Sequence, residues 1–268
     1  MVRGIESAKT KLARAAKHLK AIKRSITEYS HSEPHKIIRA RTNGTKERKL
    51  TIPTKPRREI SVLAGEMVYQ MRSALDHLAF DLVQRNPSRI QLGAHWFRRC
   101  EFPLCVDLPT KGNPPIPYKP PVPQSVFAKK LPGISAQAFA FIERLQPYYG
   151  TGEINNSLRY LAELSNIDKH RYLNFLAASV EQRYAVRFAS GISMKGYSVL
   201  HQGAKLPSFT GGNQVDRPLS VHRRFRMRVE FNERAALGDA CALPVDYLLE
   251  FILKQIKAVI IPAFEKLI

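Results

Sequence analysis

The stretch "LSVHRRFRMRVEF", residues 219–231, decides the fold class. Phe225, Met227, Val229 and Phe231 fall on one side of an extended chain. Arg224, Arg226 and Arg228, followed by Glu230, fall on the other. A period of two is that of a strand with one buried face. One face joins a core and the other presents a row of guanidinium groups. Upstream, "RYAVRFA" (183–189) and "SMKGYSVL" (193–200) alternate in the same way, and glycines at 191, 203 and 211–212 separate the runs. An antiparallel sheet over about 183–234 is expected.

Before residue 180 the period is helical. Ile5, Ala8, Leu12, Ala15, Leu19, Ile22 and Ile26 recur at spacings of three and four, a narrow stripe on a basic cylinder over 3–29. The stripe must pack on another helix of the chain or on a second subunit. "HKIIRART" and "RKLTIP" flank "NGTKE" and predict a β-hairpin with Asn43-Gly44 as its turn. A second long helix is expected from about Arg57 to Val83. Residues 103–133 are proline-rich and read as an extended surface loop. Ser135 caps a helix that stops at Pro147, and a further helix covers about Asn156 to Ala178. A last helix starts after Pro244 and bends near Pro262. The expected class is α+β: one domain over 1–268, with a helical core at about 1–180 and 244–268 and an inserted or appended sheet.

The chain has 268 residues, a net charge of +21 and a pI of about 10.1. Such an excess attracts polyanions, nucleic acid first among them. Residues 1–60 hold 17 Lys and Arg against five Glu and no Asp, which is +12 of the +21. Lys17, Lys20 and Arg24 on the first helix, with Arg224, Arg226 and Arg228 on the strand, are the candidate phosphate contacts. Three cysteines leave one over from any pairing, and Cys100-x4-Cys105 lacks the four closely spaced ligands of structural zinc. No metal is therefore expected. Walker, dinucleotide, HExxH and G-x-S-x-G motifs are absent, and no cofactor is called for. No apolar run reaches the roughly 18 residues of a membrane span, and no secretory leader is evident. A cytoplasmic protein is expected.

Two polar segments sit inside apolar helices: "MRSALDHLAF" (71–80) and "LAELSNIDKHRYL" (161–173). Arg72 and Asp76 are four apart and share a face. Asn166 and His170 are four apart and share a face with Glu163, while Asp168 and Lys169 look away. Buried polar groups need partners, and the economical expectation is that the two segments satisfy each other. His suits proton transfer near neutral pH, and Arg suits a phosphate held by two parallel hydrogen bonds. Arg72, His77, His170, Asn166 and Asp76 thus include the parts of metal-independent RNA cleavage: a base, an acid and a cation for the phosphorane charge.

"MRSALDHLA" followed by "NIDKHR" resembles a family of uncharacterised bacterial proteins, over roughly residues 57–178. The first motif also resembles the Arg-x4-6-His helix of HEPN domains, helical modules that are often dimeric and often ribonucleases. The resemblance implies a HEPN-like bundle, catalytic roles for Arg72 and His77, and a polar position at Ser73 where the family often has Asn. It implies a metal-independent ribonuclease of toxin or defence type that pairs as a homodimer. The alternative is a non-catalytic binder of nucleic acid, RNA before DNA, using the basic first helix and the Arg-rich strand.

Overall fold

The architecture rests on a long antiparallel helix pair. In the computed structural model, which describes residues 4–32, 35–42, 45–53, 55–85, 95–112, 114–170, 173, 175–207 and 218–267, α1 spans Gly4–His31 and α2 spans Arg58–Gln84. Their cross-contacts keep one register. Ser7 meets His77, His18 meets Glu66, Ser25 meets Glu59 and Glu28 meets Arg57. Partner numbers sum to 84 or 85 from one end to the other, so the two helices run side by side along almost their full length.

The expected stripe of α1 is buried from Ile5 to Ile22. Beyond Ile22 the buried positions are Ser25 and Tyr29, and Ile26 is only half-buried. A strict three-four alternation repeats every 3.5 residues and drifts around a 3.6-residue helix, which carries Ile26 off the contact line. Leu12 and Leu19 are spent inside the chain, so this stripe is not left over for a second subunit. Burial of Tyr29 pushes its phenol up to about pKa 12.

β1 (Lys36–Thr42) and β2 (Thr45–Thr51) link the two helices as an antiparallel hairpin. The predicted turn Asn43-Gly44 lies outside the described residues, but the ladder runs to Thr42 opposite Thr45. Thr45, Lys46 and Glu47 therefore belong to a strand and not to the turn. The proline-rich segment is more anchored than a surface loop. It carries the short ladder β3 (Thr110–Lys111) and β4 (Ile116–Pro117), and it buries Val122, Phe127 and Leu131 in the core, between the buried Phe102 and Ile134 that flank it. The helix α3 (Ala136–Leu145) follows, with the Ser135 hydroxyl accepting from the Ala138 N–H at 3.2 Å.

α4 covers Glu153–His170, shorter at its end than its pattern suggests. Residues 175–178, expected in that helix, instead start the strand β5 (Phe175–Phe188). "FLAA" suits a helix locally, but Phe175 and Leu176 pair with Phe231 and Glu230, and tertiary pairing overrides propensity. β6 (Ser193–Leu200) and β7 (Pro218–Phe231) flank β5 in an antiparallel sheet of order β6-β5-β7. Val180, Val186, Leu200, Met227 and Val229 bury its inner face. Gly196 has no Cβ there, and the Tyr184 ring occupies that space.

The chain closes with α5 (Arg234–Leu237), α6 (Val245–Gln255) and α7 (Ile261–Leu267). The expected bend appears as a π-helical turn at Ile256–Ile260, just before Pro262. Proline has no N–H to bond back and its ring crowds the carbonyl four residues earlier, so the ladder widens there. No helix among the described residues is long and apolar enough to cross a membrane.

Candidate nucleic-acid interface

The two polar segments do not satisfy each other. Arg72 donates from Nη2 to the Phe102 carbonyl at 2.6 Å, and Asp76 Oδ1 accepts the Phe102 N–H at 2.9 Å. Arg72 and Asp76 stand 3.4 Å apart, so one ion pair on α2 clasps both polar groups of a buried residue's backbone. The Arg72 side chain is only 14 % exposed. Burial raises the Asp76 pKa, outweighing the Arg72 charge and the Phe102 N–H, which pull it down. Glu101 extends the cluster: it lies 3.9 Å from Arg72 and 2.6 Å from Lys130.

His77 turns the other way. Its Nδ1 lies 2.6 Å from Ser7 Oγ on α1. Burial, then the Lys11 charge, holds the imidazole below its ordinary pKa, with Asp76 opposing. A pocket of about 490 Å³ is lined by Ser7, Asp76, His77, Phe80, Gln84 and Cys100 together with Gly4. Arg72, Asn166 and His170 do not line it. Cys100 is no thiolate at neutral pH: burial, with Asp76 and Glu101, pushes its thiol up to about 12. The three cysteines are free, and among the described residues no group of three His, Cys, Asp or Glu is placed to hold a metal ion.

Asn166 and His170 are exposed on α4. Asp168, expected to look away, is the residue that faces α2, where it packs against Gly65 and burial raises its pKa. Gly65 lies two helical turns before Arg72. Asp168 therefore meets α2 upstream of the clasp, while Arg72 and Asp76 bond the backbone of residue 102, and the Lys169 charge reaches the cluster through Glu101.

The sheet carries a second constellation. Residues directly opposite in antiparallel strands share a face. Arg183 of β5 lies opposite Tyr197 on β6 and Arg224 on β7; Ala185 lies opposite Lys195 and His222; Glu181 lies opposite Val199 and Arg226. All project away from the core. Tyr197 is 74 % exposed, and Arg183, Lys195, His222, Arg224 and Arg226 are exposed too. Glu181 adds a carboxylate to this face, and it accepts from Arg183 Nε at 2.7 Å. A shallow concavity of about 1000 Å³ lies over Arg183, Lys195, Tyr197, His222 and Arg224.

Arg224 and Arg226 thus stand where the alternation puts them. Arg228 is half-buried: it donates to the Ala242 carbonyl at 2.9 Å and lies 3.7 Å from Glu230. On α1, Lys17, Lys20 and Arg24 are exposed, and Arg24 is 3.8 Å from Glu28. Sequence reading missed Arg183, Lys195, Tyr197 and His222. Their own parity was the available signal, since 183 and 187, or 195 and 197, share a strand face. Which strands pair, and in what register, was not available. No family model, curated protein or solved structure matches the chain.

Proposed function

We propose that the protein binds single-stranded nucleic acid, RNA before DNA, on the outer face of the β6-β5-β7 sheet. The observation that carries this reading is the row Tyr197–Arg183–Arg224, an exposed aromatic ring beside two opposed guanidinium groups. Like charges directly opposite each other destabilise a sheet. Guanidinium groups hold phosphates, and an exposed ring stacks on an unpaired base without regard to sequence. Ser193 and Ser220, opposite Arg187 at the end of the same face, add hydroxyls for the 2′-OH that distinguishes RNA.

Fluorescence anisotropy with a labelled oligouridylate tests it. Arg183→Ser and Arg224→Ser each weaken binding and lower the slope of log K against log salt by about 0.7, the share of one phosphate contact on a single strand. A slope unchanged in both variants overturns the reading.

A ribonuclease of toxin or defence type, with a HEPN-like helical core, is the second reading. What favours it is His77, an imidazole biased toward its neutral form, beside Ser7 and Asp76 in a pocket. A neutral imidazole can take the proton of a 2′-hydroxyl as that oxygen attacks the phosphorus and the 5′-oxygen leaves. Arg72 would have to serve the phosphate while held by Phe102. Purified protein should then cut RNA in EDTA, and His77→Ala should not. RNA left whole by the unaltered protein ends this reading and leaves the binding reading standing.

A further inference from the structure

Three concavities on one side of the molecule share walls. The first lies over the sheet face. The second, about 620 Å³, lies between β7, the end of α1 and the start of α6. The third, about 750 Å³, lies between α1 and α6. Glu181 borders the first and second; Lys23, Tyr247 and Glu250 border the second and third. The three therefore adjoin in a row, which makes them a candidate channel.

Its charge is concentrated at the ends. The sheet end has Arg183, Lys195 and Arg224 against Glu181. The helix end has Lys20, Lys23, Lys254 and Lys257 against Glu250, over a floor that includes Leu19 and Phe251. In the waist Lys23, Arg226 and Arg228 are matched by Glu181, Asp246 and Glu250. Lys23 is itself held by Glu250 at 2.7 Å. Tyr247 stands where waist and helix end meet, 57 % exposed.

We propose, resting on the binding reading above, that a single strand of RNA runs the length of this channel. It is gripped at both ends and crosses the waist beside Tyr247. The backbone phosphates meet the lysines of α1, α6 and the π-helical turn after it, and unstacked bases lie on Tyr197, on Tyr247 and over the apolar floor. A duplex hides its base faces and gains nothing from these rings. Two cationic ends joined by a balanced waist act as linked sites. The second contact is intramolecular, so affinity rises steeply once a strand reaches both.

The experiment compares labelled oligouridylates of about 6 and about 20 nucleotides, lengths that bracket the site of one small binding domain. The proteins are the full chain and the variant Tyr247→Ala/Lys254→Gln/Lys257→Gln, whose changes are all on exposed side chains. The variant keeps the sheet end, so it should still bind the short strand, and it should lose about tenfold or more of the advantage of the long one. Taking the ratio of the two lengths within each protein cancels the extra binding registers a long strand offers.

An equal ratio in both proteins overturns the path and leaves the sheet reading intact. Failure of the unaltered protein to bind either strand overturns both. Oligodeoxythymidylates of the same lengths show whether the sugar matters; tighter DNA binding overturns the choice of RNA. A variant that loses binding to phosphatidylserine vesicles while keeping the RNA ratio assigns the helix end to a lipid surface, which also overturns the path.

Discussion

Arg183 on β5 and Arg224 on β7 stand directly opposite each other across the sheet, exposed, with the Glu181 carboxylate on Arg183. In a sheet kept only for its fold, that pairing costs stability. Arg224→Glu turns a like-charge pair into an opposite one. The variant should gain about 0.2–1 kcal/mol in urea unfolding. It should also lose RNA affinity. Opposite signs in the two measurements are the mark of a residue kept for binding; a loss in both would make Arg224 a structural residue.

The clasp on Phe102 carries weight of another kind. Asp76→Ala leaves the buried Phe102 N–H without its acceptor, a loss of about 1–3 kcal/mol. Asp76→Asn keeps an oxygen there and should lose clearly less. Equal unfolding midpoints for Asp76→Ala and the unaltered protein would show that the clasp holds nothing.

Gly65 marks the close approach of α2 and α4. Alanine in mid-helix gains about 1 kcal/mol over glycine by propensity alone. Here a Cβ would run into the Asp168 carboxylate. Gly65→Ala should therefore give no gain, or a loss, in the unaltered background. With Asp168→Ala present the same change should stabilise by the full amount. Additive effects across this double-mutant cycle would rule out the contact.

His77 makes stability depend on pH. Its folded pKa lies below the ordinary 6.5, chiefly because burial disfavours the charged ring. The folded chain then binds fewer protons at this site than the unfolded chain. The contribution of His77 is complete above about pH 6.5 and is lost as pH falls through that value toward the lower folded pKa. Asp76 works against it at lower pH: its raised pKa favours the folded state in acid, and that favour is lost as pH rises above the ordinary carboxyl value of 3.8. Thermal melting at about pH 7.5 and 5.5 should fall less in His77→Gln than in the unaltered protein. Parallel falls would place the pH dependence elsewhere.

The sequence by itself determined the parts that depend on local period. The α1 stripe, the α2 helix, the Ser135 cap, the hairpin and the two faces of β7 are all functions of spacing, and spacing is written in the chain. It also carries the net charge of +21. Only the tertiary structure decided who meets whom. Arg72, Asp76 and His77 lie within six residues of one another on α2, yet two of them grip the chain at 102 while the third turns to Ser7 on α1. "FLAA" became strand because β7 offered it a ladder. Arg183, Tyr197 and Arg224 come from three strands, and their row exists only in the register of the sheet. Period is a property of one segment, whereas a partner is supplied by another, and the energy that selects it arises only when both are packed.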